Sequence, residues 1–161
     1  MAEKKLKEYL DKNNVRYISI SHSPAYTAQE MAAKTHLPGK EIAKTVLIKI
    51  DGKLAMAVLP GSFKINFDEL KKVVGSENVR LADEHEFIDK FPDCEVGAMP
   101  PFGPAYGLPV YLDSSLLGPD MIAFNAGSHR DVIHMRTAEF RRVVLPHIVS
   151  LTREPAAAHG W

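Results

Sequence analysis

Ile42-Ala43-Lys44-Thr45-Val46-Leu47-Ile48-Lys49-Ile50-Asp51-Gly52-Lys53-Leu54-Ala55-Met56-Ala57-Val58-Leu59 is the stretch on which the fold turns. Two apolar runs of strand length flank an Asp-Gly pair. Asp-Gly readily supplies the positive φ angles of a tight turn between twisted strands, so the segment predicts a β-hairpin with Lys44 near its start. Working outward, Leu6, Tyr9 and Leu10 share a helical face at i, i+3 and i+4, Asn13-Asn14 supplies a stop, and Val15 to Ile20 alternates like a strand. Thr27-Ala28-Gln29-Glu30 has capping-box spacing and opens a short helix running to Pro38-Gly39. Asn66-Phe67-Asp68-Glu69 and Asp83-Glu84-His85-Glu86 repeat that spacing on either side of a short strand at Val79 to Ala82. Pro109 to Leu112, Met121 to Asn125 and Val132 to Met135 read as strands, and Thr137 is expected to cap a last helix through Phe140, Val143 and Val144. Strands that form hairpins and also lie among helices predict an α+β (α/β mixed) single domain with a mixed sheet, not a doubly wound one.

The chain has 161 residues, 45% of them hydrophobic, which suits one compact domain with a core large enough to need no disulfide or structural metal. Residues 1–150 are expected to form that domain. Residues 151–161 are expected to be a loose C-terminal tail, because Glu154 to Trp161 has no period matching a core element. The only cysteine, Cys94, excludes an intramolecular disulfide and fits a reducing, cytoplasmic setting. No apolar run approaches the roughly 20 residues of a membrane span, so no membrane partner is expected. Lys+Arg and Asp+Glu number 20 each, so the chain is not a strongly basic domain that coats nucleic acid. That neutrality is an average. Asp83 to Glu95 is acidic, with Lys90 its only base; it reads either as a solvated helix face or as a surface that repels misplaced nucleic acid.

Familiar catalytic signatures are missing: no Walker A, no dinucleotide-binding glycine fingerprint, no His-Glu-x-x-His and no nucleophile elbow. His129 and His134 lack a Cys or carboxylate cluster at ligand spacing, so no metal and no cofactor is expected. Cys94 lies between Asp93 and Glu95, which raise a thiol pKa and disfavour a nucleophilic role. Three patches stand out. Lys44 interrupts an apolar strand on a face shared with Ile42 and Val46; it either snorkels out at the sheet edge or points its ammonium into a pocket that needs a cation. Gly97-Ala98-Met99-Pro100-Pro101-Phe102-Gly103-Pro104 forbids a regular element and fixes a stiff, backbone-exposing loop. Asn125-Ala126-Gly127-Ser128-His129-Arg130 is a polar strand end that also reads as an ordinary turn.

In their order and setting these patches resemble the YbaK and prolyl-tRNA synthetase-associated domain superfamily. The resemblance runs from about Leu6 to Val144. It is carried by His22-Ser23-Pro24-Ala25-Tyr26-Thr27-Ala28-Gln29-Glu30, Ile42-Ala43-Lys44-Thr45-Val46, Gly97-Ala98-Met99-Pro100-Pro101-Phe102-Gly103, Asp113-Ser114-Ser115-Leu116 and Asn125-Ala126-Gly127-Ser128-His129. It implies a mixed, barrel-like sheet flanked by helices. It also implies a trans-editing hydrolase that serves translation fidelity by deacylating mischarged aminoacyl-tRNA, with the acceptor end of that tRNA as partner and an aminoacyl-tRNA synthetase as an optional one.

An aminoacyl ester is already activated. Its hydrolysis needs a positioned water, oxyanion stabilisation and a grip on the terminal adenosine, but no protein nucleophile. By the resemblance, Lys44 is the functional lysine, Gly97 lays its backbone against the ester, His129 orients water or contacts the ribose, and a ribose hydroxyl of the substrate carries the proton. Thr45, Tyr26, Met99, Pro100, Phe102, Gly127 and Ser128 are the expected substrate-binding residues. Thr45 stands where members carry Asn, and with Met99 and Phe102 it leaves Pro, Ala, Cys, Ser and Thr-sized groups open. Two alternatives differ in class: a non-catalytic aminoacyl-tRNA or nucleotide-binding module, and an amidohydrolase acting on a free small aminoacyl compound.

Overall fold

The computed structural model describes residues 2–153. Its first helix, α1 (Ala2–Lys12), buries Leu6 and Leu10 and stops where Asn14 takes a left-handed φ of 58°. Strand β1 (Tyr17–Ser21) and helix α2 (Ala28–Thr35) follow. Thr27 caps α2 by accepting the Glu30 N–H at 3.1 Å. Its hydroxyl also donates to the Glu30 carboxylate at 3.2 Å, so the reciprocal half of the expected box is side chain to side chain. The helix ends at Thr35, short of Pro38-Gly39, because His36 turns left-handed.

The hairpin is as the sequence predicts: β2 (Ala43–Ile50) pairs antiparallel with β3 (Lys53–Pro60), Ile50 opposite Lys53, through Asp51 at φ 52° and Gly52 at φ 81°. Beyond it come β4 (Lys64–Ile65), α3 (Phe67–Val74), capped by the Asn66 side chain, β5 (Val79–Leu81) and the single turn α4 (Glu84–Phe87). Strands β6 (Val110–Asp113), β7 (Met121–Asn125) and β8 (Asp131–Arg136) lead to α5 (Thr137–Val144). Two short strands, β9 (His147–Val149) and β10 (Thr152–Arg153), complete the described residues. Thr137 does not cap α5. It is the helix's first residue, and its hydroxyl donates to the Pro119 carbonyl at 3.0 Å, tying the helix to the loop before β7.

The result is an α+β domain with a mixed principal sheet. Its five strands run in the order β5-β2-β3-β6-β9, antiparallel on the hairpin side and parallel from β3 through β6 to β9. A second, antiparallel sheet has the order β1-β8-β7, and a parallel bridge between Ile42 and Ala123 joins it to the first. The main core fills the space between the sheets: Ala43, Leu47, Met56 and Val58 come from one, Ile122, Phe124, Ile133 and Met135 from the other, and α1 and α5 contribute Leu10 and Phe140. A second cluster lies on the opposite face of the five-stranded sheet, where Ile48, Ala55, Ala57 and Leu59 meet Leu70 of α3 and Leu151. Burial on both faces explains why β3 reads as a continuous apolar run without alternation. The packed unit extends beyond 150: Leu151 is 0% exposed, and Thr152 and Arg153 pair with Ile65 and Lys64, so burial and pairing correct the expected start of the tail. Residues 154–161 of that tail lie outside the described residues. Among the described residues no helix is long and apolar enough to cross a membrane.

A third, smaller cluster lies beneath the candidate site. Ala25, Met31, Ile42, Ala123 and Val132 pack together on the outer face of the three-stranded sheet, under α2. The open side of this cluster is a cleft.

Candidate functional site

The cleft has a volume of about 330 Å³ and gathers residues from five separate stretches of chain: Tyr26, Thr27 and Ala28 at the start of α2, Ala43 and Lys44 at the start of β2, Gly61 after β3, Gly97, and Asn125 with His129. Of the expected residues, Lys44, Gly97, His129 and Tyr26 all line it. Ala25, Met31, Ile42 and Gly61 complete the apolar walls.

Lys44 owes its place to strand periodicity. Ala43 and Leu47 turn into the main core, so Lys44 shares the other face with Val46, Ile48 and Ile50, which pack in the second cluster. At the strand's start that cluster has ended, and the lysine lines the cleft instead. Its side chain is half-buried and forms no ion pair among the described residues. Burial, and secondarily the nearby Lys64 charge, pull its pKa below the ordinary lysine value.

Gly97 has a φ of 86°, a left-handed conformation that favours glycine. A Cβ there would sit 3.5 Å from His129 Cε1, an ordinary contact, so the backbone angle and not crowding explains the residue type. Gly97 is an exposed residue, and its N–H forms no hydrogen bond among the described residues, which leaves a donor on the same loop that His129 packs against.

His129 is held from three sides. Its backbone N–H donates to Glu95 Oε1 at 2.6 Å, its Nε2 lies 3.0 Å from the Val96 carbonyl, and its ring packs on Tyr26 with centroids 4.7 Å apart. A carbonyl only accepts, so Nε2 carries a proton, and in the neutral ring Nδ1 keeps a lone pair. Tyr26 is 70% exposed and presents its ring at the rim. Asn125 donates through Nδ2 to the Ser128 carbonyl at 3.1 Å and keeps the turn closed.

The remaining expected residues sit elsewhere. Phe102 is fully buried among Tyr9, Phe124 and Phe140, with centroids 5.9, 5.3 and 5.5 Å away, and Met99 belongs to the same core. Pro100 is buried beside them, and Thr45, half-buried on the core side of β2, lines no part of the cleft. Gly127 and Ser128 build the turn that carries His129. Gly127 exchanges backbone hydrogen bonds with Glu95 and Ala98 at 2.8 and 2.9 Å, and Ser128 bonds Asp131 at 2.7 Å. Cys94 is not among the cleft residues; burial, first, and then the Asp93 charge hold its thiol pKa up, against a hydrogen bond from Tyr106.

A family model described as the aminoacyl-tRNA editing domain matches residues 22–143, a span that includes every residue of the cleft. The chain belongs to the aminoacyl-tRNA editing domain family. This editing domain is 32% identical over 120 residues to the proline--tRNA ligase of Staphylococcus saprophyticus, covering 73% of this chain and 20% of the ligase. It is 31% identical over 110 residues to the proline--tRNA ligase of Staphylococcus aureus, covering 68% and 18%. The chain thus spans about a fifth of the length of these curated relatives. A chain solved as a candidate trans-editing enzyme for prolyl tRNA synthetase superposes with a TM-score of 0.81 at 19% identity, over 95% of this chain and 98% of that one. A scaffold used for grafting linear epitopes superposes with a TM-score of 0.81 at 18% identity, over 96% and 98%. At those identities the likeness establishes the fold.

Two residues of the candidate site carry no clear signal in the sequence. Glu95 reads in the sequence as part of an acidic run, yet it ties the Gly97 loop to the His129 turn. Gly61 follows β3 with no motif around it, although a Cβ there would lie 2.6 Å from Ala28 Cβ; the Pro60-Gly61 pair was its one visible signal.

Proposed function

We propose that this domain hydrolyses, in trans, the ester that joins a small, wrongly attached amino acid to the terminal ribose of a tRNA. The observation that carries the reading is Lys44: a half-buried ammonium in an open cleft, with no carboxylate partner among the described residues, in a lining that also holds Gly97, whose backbone N–H makes no hydrogen bond among them. A buried cation without a counter-ion is costly unless a ligand supplies one, and the phosphate of a terminal nucleotide is such a group.

In the proposed reaction the oxygen of a water attacks the ester carbonyl carbon, and the Gly97 N–H donates to the oxyanion that develops. His129 Nδ1 accepts a hydrogen bond from the water or the ribose and orients it. The intermediate then collapses with cleavage of the bond from carbonyl carbon to ribose oxygen. The proton that the attacking water gives up passes through the vicinal ribose hydroxyl to the leaving oxygen, and the amino acid departs as its free acid. The exposed Tyr26 ring offers the terminal adenine a stacking surface. Ala25, Ala28, Ile42 and Gly61 wall the cleft closely, which favours aminoacyl groups of Pro, Ala, Cys, Ser or Thr size.

The test is multiple-turnover release of free amino acid across a panel of tRNAs charged with small and large residues. Release from one or more small-residue members is expected. Saturable binding of the whole panel with no release anywhere would contradict hydrolysis and favour a non-catalytic binding module.

A further inference from the structure

The cleft occupies one end of a strip of sheet face. On β7, Ile122 and Phe124 turn into the main core, so Met121, Ala123 and Asn125 point to the opposite face, where Asn125 lines the cleft and Ala123 forms its floor cluster. On β8 the register sets Val132 opposite Asn125 and Arg136 opposite Met121, which places Val132, His134 and Arg136 on that same outer face. Arg136 therefore shares a face with the cleft and lies four residues along the ladder from it, about 13 Å at ~3.3 Å per residue.

A second depression opens at this far end. It has a volume of about 600 Å³, larger than the cleft, and Met121, Arg136 and Arg141 line it. A smaller one of about 380 Å³ continues along α5 and shares Ala138 and Arg141 with it. Arg136 and Arg141 are exposed, and neither forms an ion pair among the described residues. The neighbouring Glu139 is engaged by Arg142 at 2.7 Å, and Asp120 is the one carboxylate residue in the larger depression. Between the two ends the 3-10 turn Gly39–Glu41 lies over the strip, pinned by Glu41 to His134 at 2.8 Å, and carries the exposed, likewise unpaired Lys40. Lys40 and Arg136 thus lie along the strip that starts at the Lys44 cleft, and Arg141 of α5 lines the depression at its far end. The α3 lysines, Lys71 and Lys72, belong to a helix packed on the five-stranded sheet instead.

We infer that Lys40, Arg136 and Arg141 form a phosphate track that holds the ribose-phosphate backbone of the tRNA arm whose end occupies the cleft. The inference rests on the proposed substrate and extends it to a surface about 13 Å from the chemistry. Charge complementarity selects the occupant: spaced, exposed cations that form no ion pair among the described residues, Arg136 sharing only the field of Glu139, suit a polyanion with regularly placed charges, and they position it without reading bases. A chain of zero net charge gains RNA affinity by placing such groups on one face.

The experiment is equilibrium binding of uncharged tRNA to the full chain over a range of salt concentrations. It compares the wild type, Arg136→Ala/Arg141→Ala, Arg136→Lys/Arg141→Lys, and Lys71→Ala/Lys72→Ala as a matched loss of charge elsewhere. The arginine-to-alanine pair is expected to weaken binding about tenfold at low salt and to reduce the slope of log K against log salt by about 2, one for each lost phosphate contact. The lysine pair should retain most of the affinity, and the α3 pair should match wild type. Unchanged affinity and slope in the arginine-to-alanine pair, or an equal loss in the α3 pair, would overturn the track; the first result would leave the groove to an acidic protein partner. A wild-type protein that shows this binding pattern but deacylates nothing would overturn the hydrolase reading and leave the track standing. A deacylase whose tRNA affinity ignores the arginines would do the reverse.

Discussion

At Lys44 the proposed role and the stability of the fold pull in opposite directions. Burial, aided by Lys64, makes its ammonium harder to protonate in the folded protein than in the unfolded chain, where the ordinary value is 10.5. Between the lowered folded value and 10.5 the unfolded chain therefore holds more protons, and the contribution of Lys44 to stability rises with pH. Below that window the charge is a standing cost. Lys44→Met is accordingly expected to keep or raise the melting temperature at pH 7, and to remove part of the gain in stability on the alkaline side. A clearly lower melting temperature at pH 7 would show that the lysine stabilises the fold. The position was legible because a charge inside an apolar strand is an anomaly that period-2 geometry must resolve. Met99 and Phe102 were not, because closeness in sequence to Gly97 says nothing about which way a side chain points. The Pro-rich loop turns Phe102 into an aromatic cluster while Gly97 stays at the surface.

At the scale of elements, the site depends on two loops fastened to each other. Glu95 accepts the His129 N–H, the Gly127 carbonyl accepts the Glu95 N–H, and the Ala98 carbonyl accepts the Gly127 N–H, so Gly97 and His129 move as one piece. Glu95→Ala removes the carboxylate from this clasp without touching the cleft walls. It should lower kcat/KM by about tenfold or more, since small misplacements of reacting groups are expensive, while Glu95→Gln, which keeps an accepting oxygen, should retain most activity. Equal rates in all three proteins would remove Glu95 from the positioning machinery. Local elements were readable where one residue type is required: Asp51-Gly52 for its positive φ angles, and Thr27 and Asn66 for their capping oxygens. Thr137 misled because a hydroxyl at a helix start can serve either the helix or a neighbouring loop, and only the position of Pro119 decides between them.

Over the whole molecule, the legible part was the mixture of hairpins and helices; the arrangement was not. Nothing in the strand patterns says that β6 runs parallel to β3, or that one bridge at Ile42 and Ala123 joins the two sheets beneath the cleft. Those pairings are set by long-range packing, since similar apolar strands can pair in more than one way. The same arrangement turns a net charge of zero into a cleft whose lysine has no ion-pair partner among the described residues, exposed arginines at the far end of the same sheet face, and an acidic run of which Glu95 and Glu86 are already engaged by His129 and by Arg80 and Lys49. The central claim is that this cleft hydrolyses an aminoacyl ester with Lys44 gripping the substrate. Its most direct test is single-turnover deacylation of the best small-residue aminoacyl-tRNA by wild type and by Lys44→Ala, with folding of both checked by circular dichroism. A folded Lys44→Ala protein should deacylate at a rate at least about tenfold lower; an undiminished rate in that protein would contradict the role of the lysine.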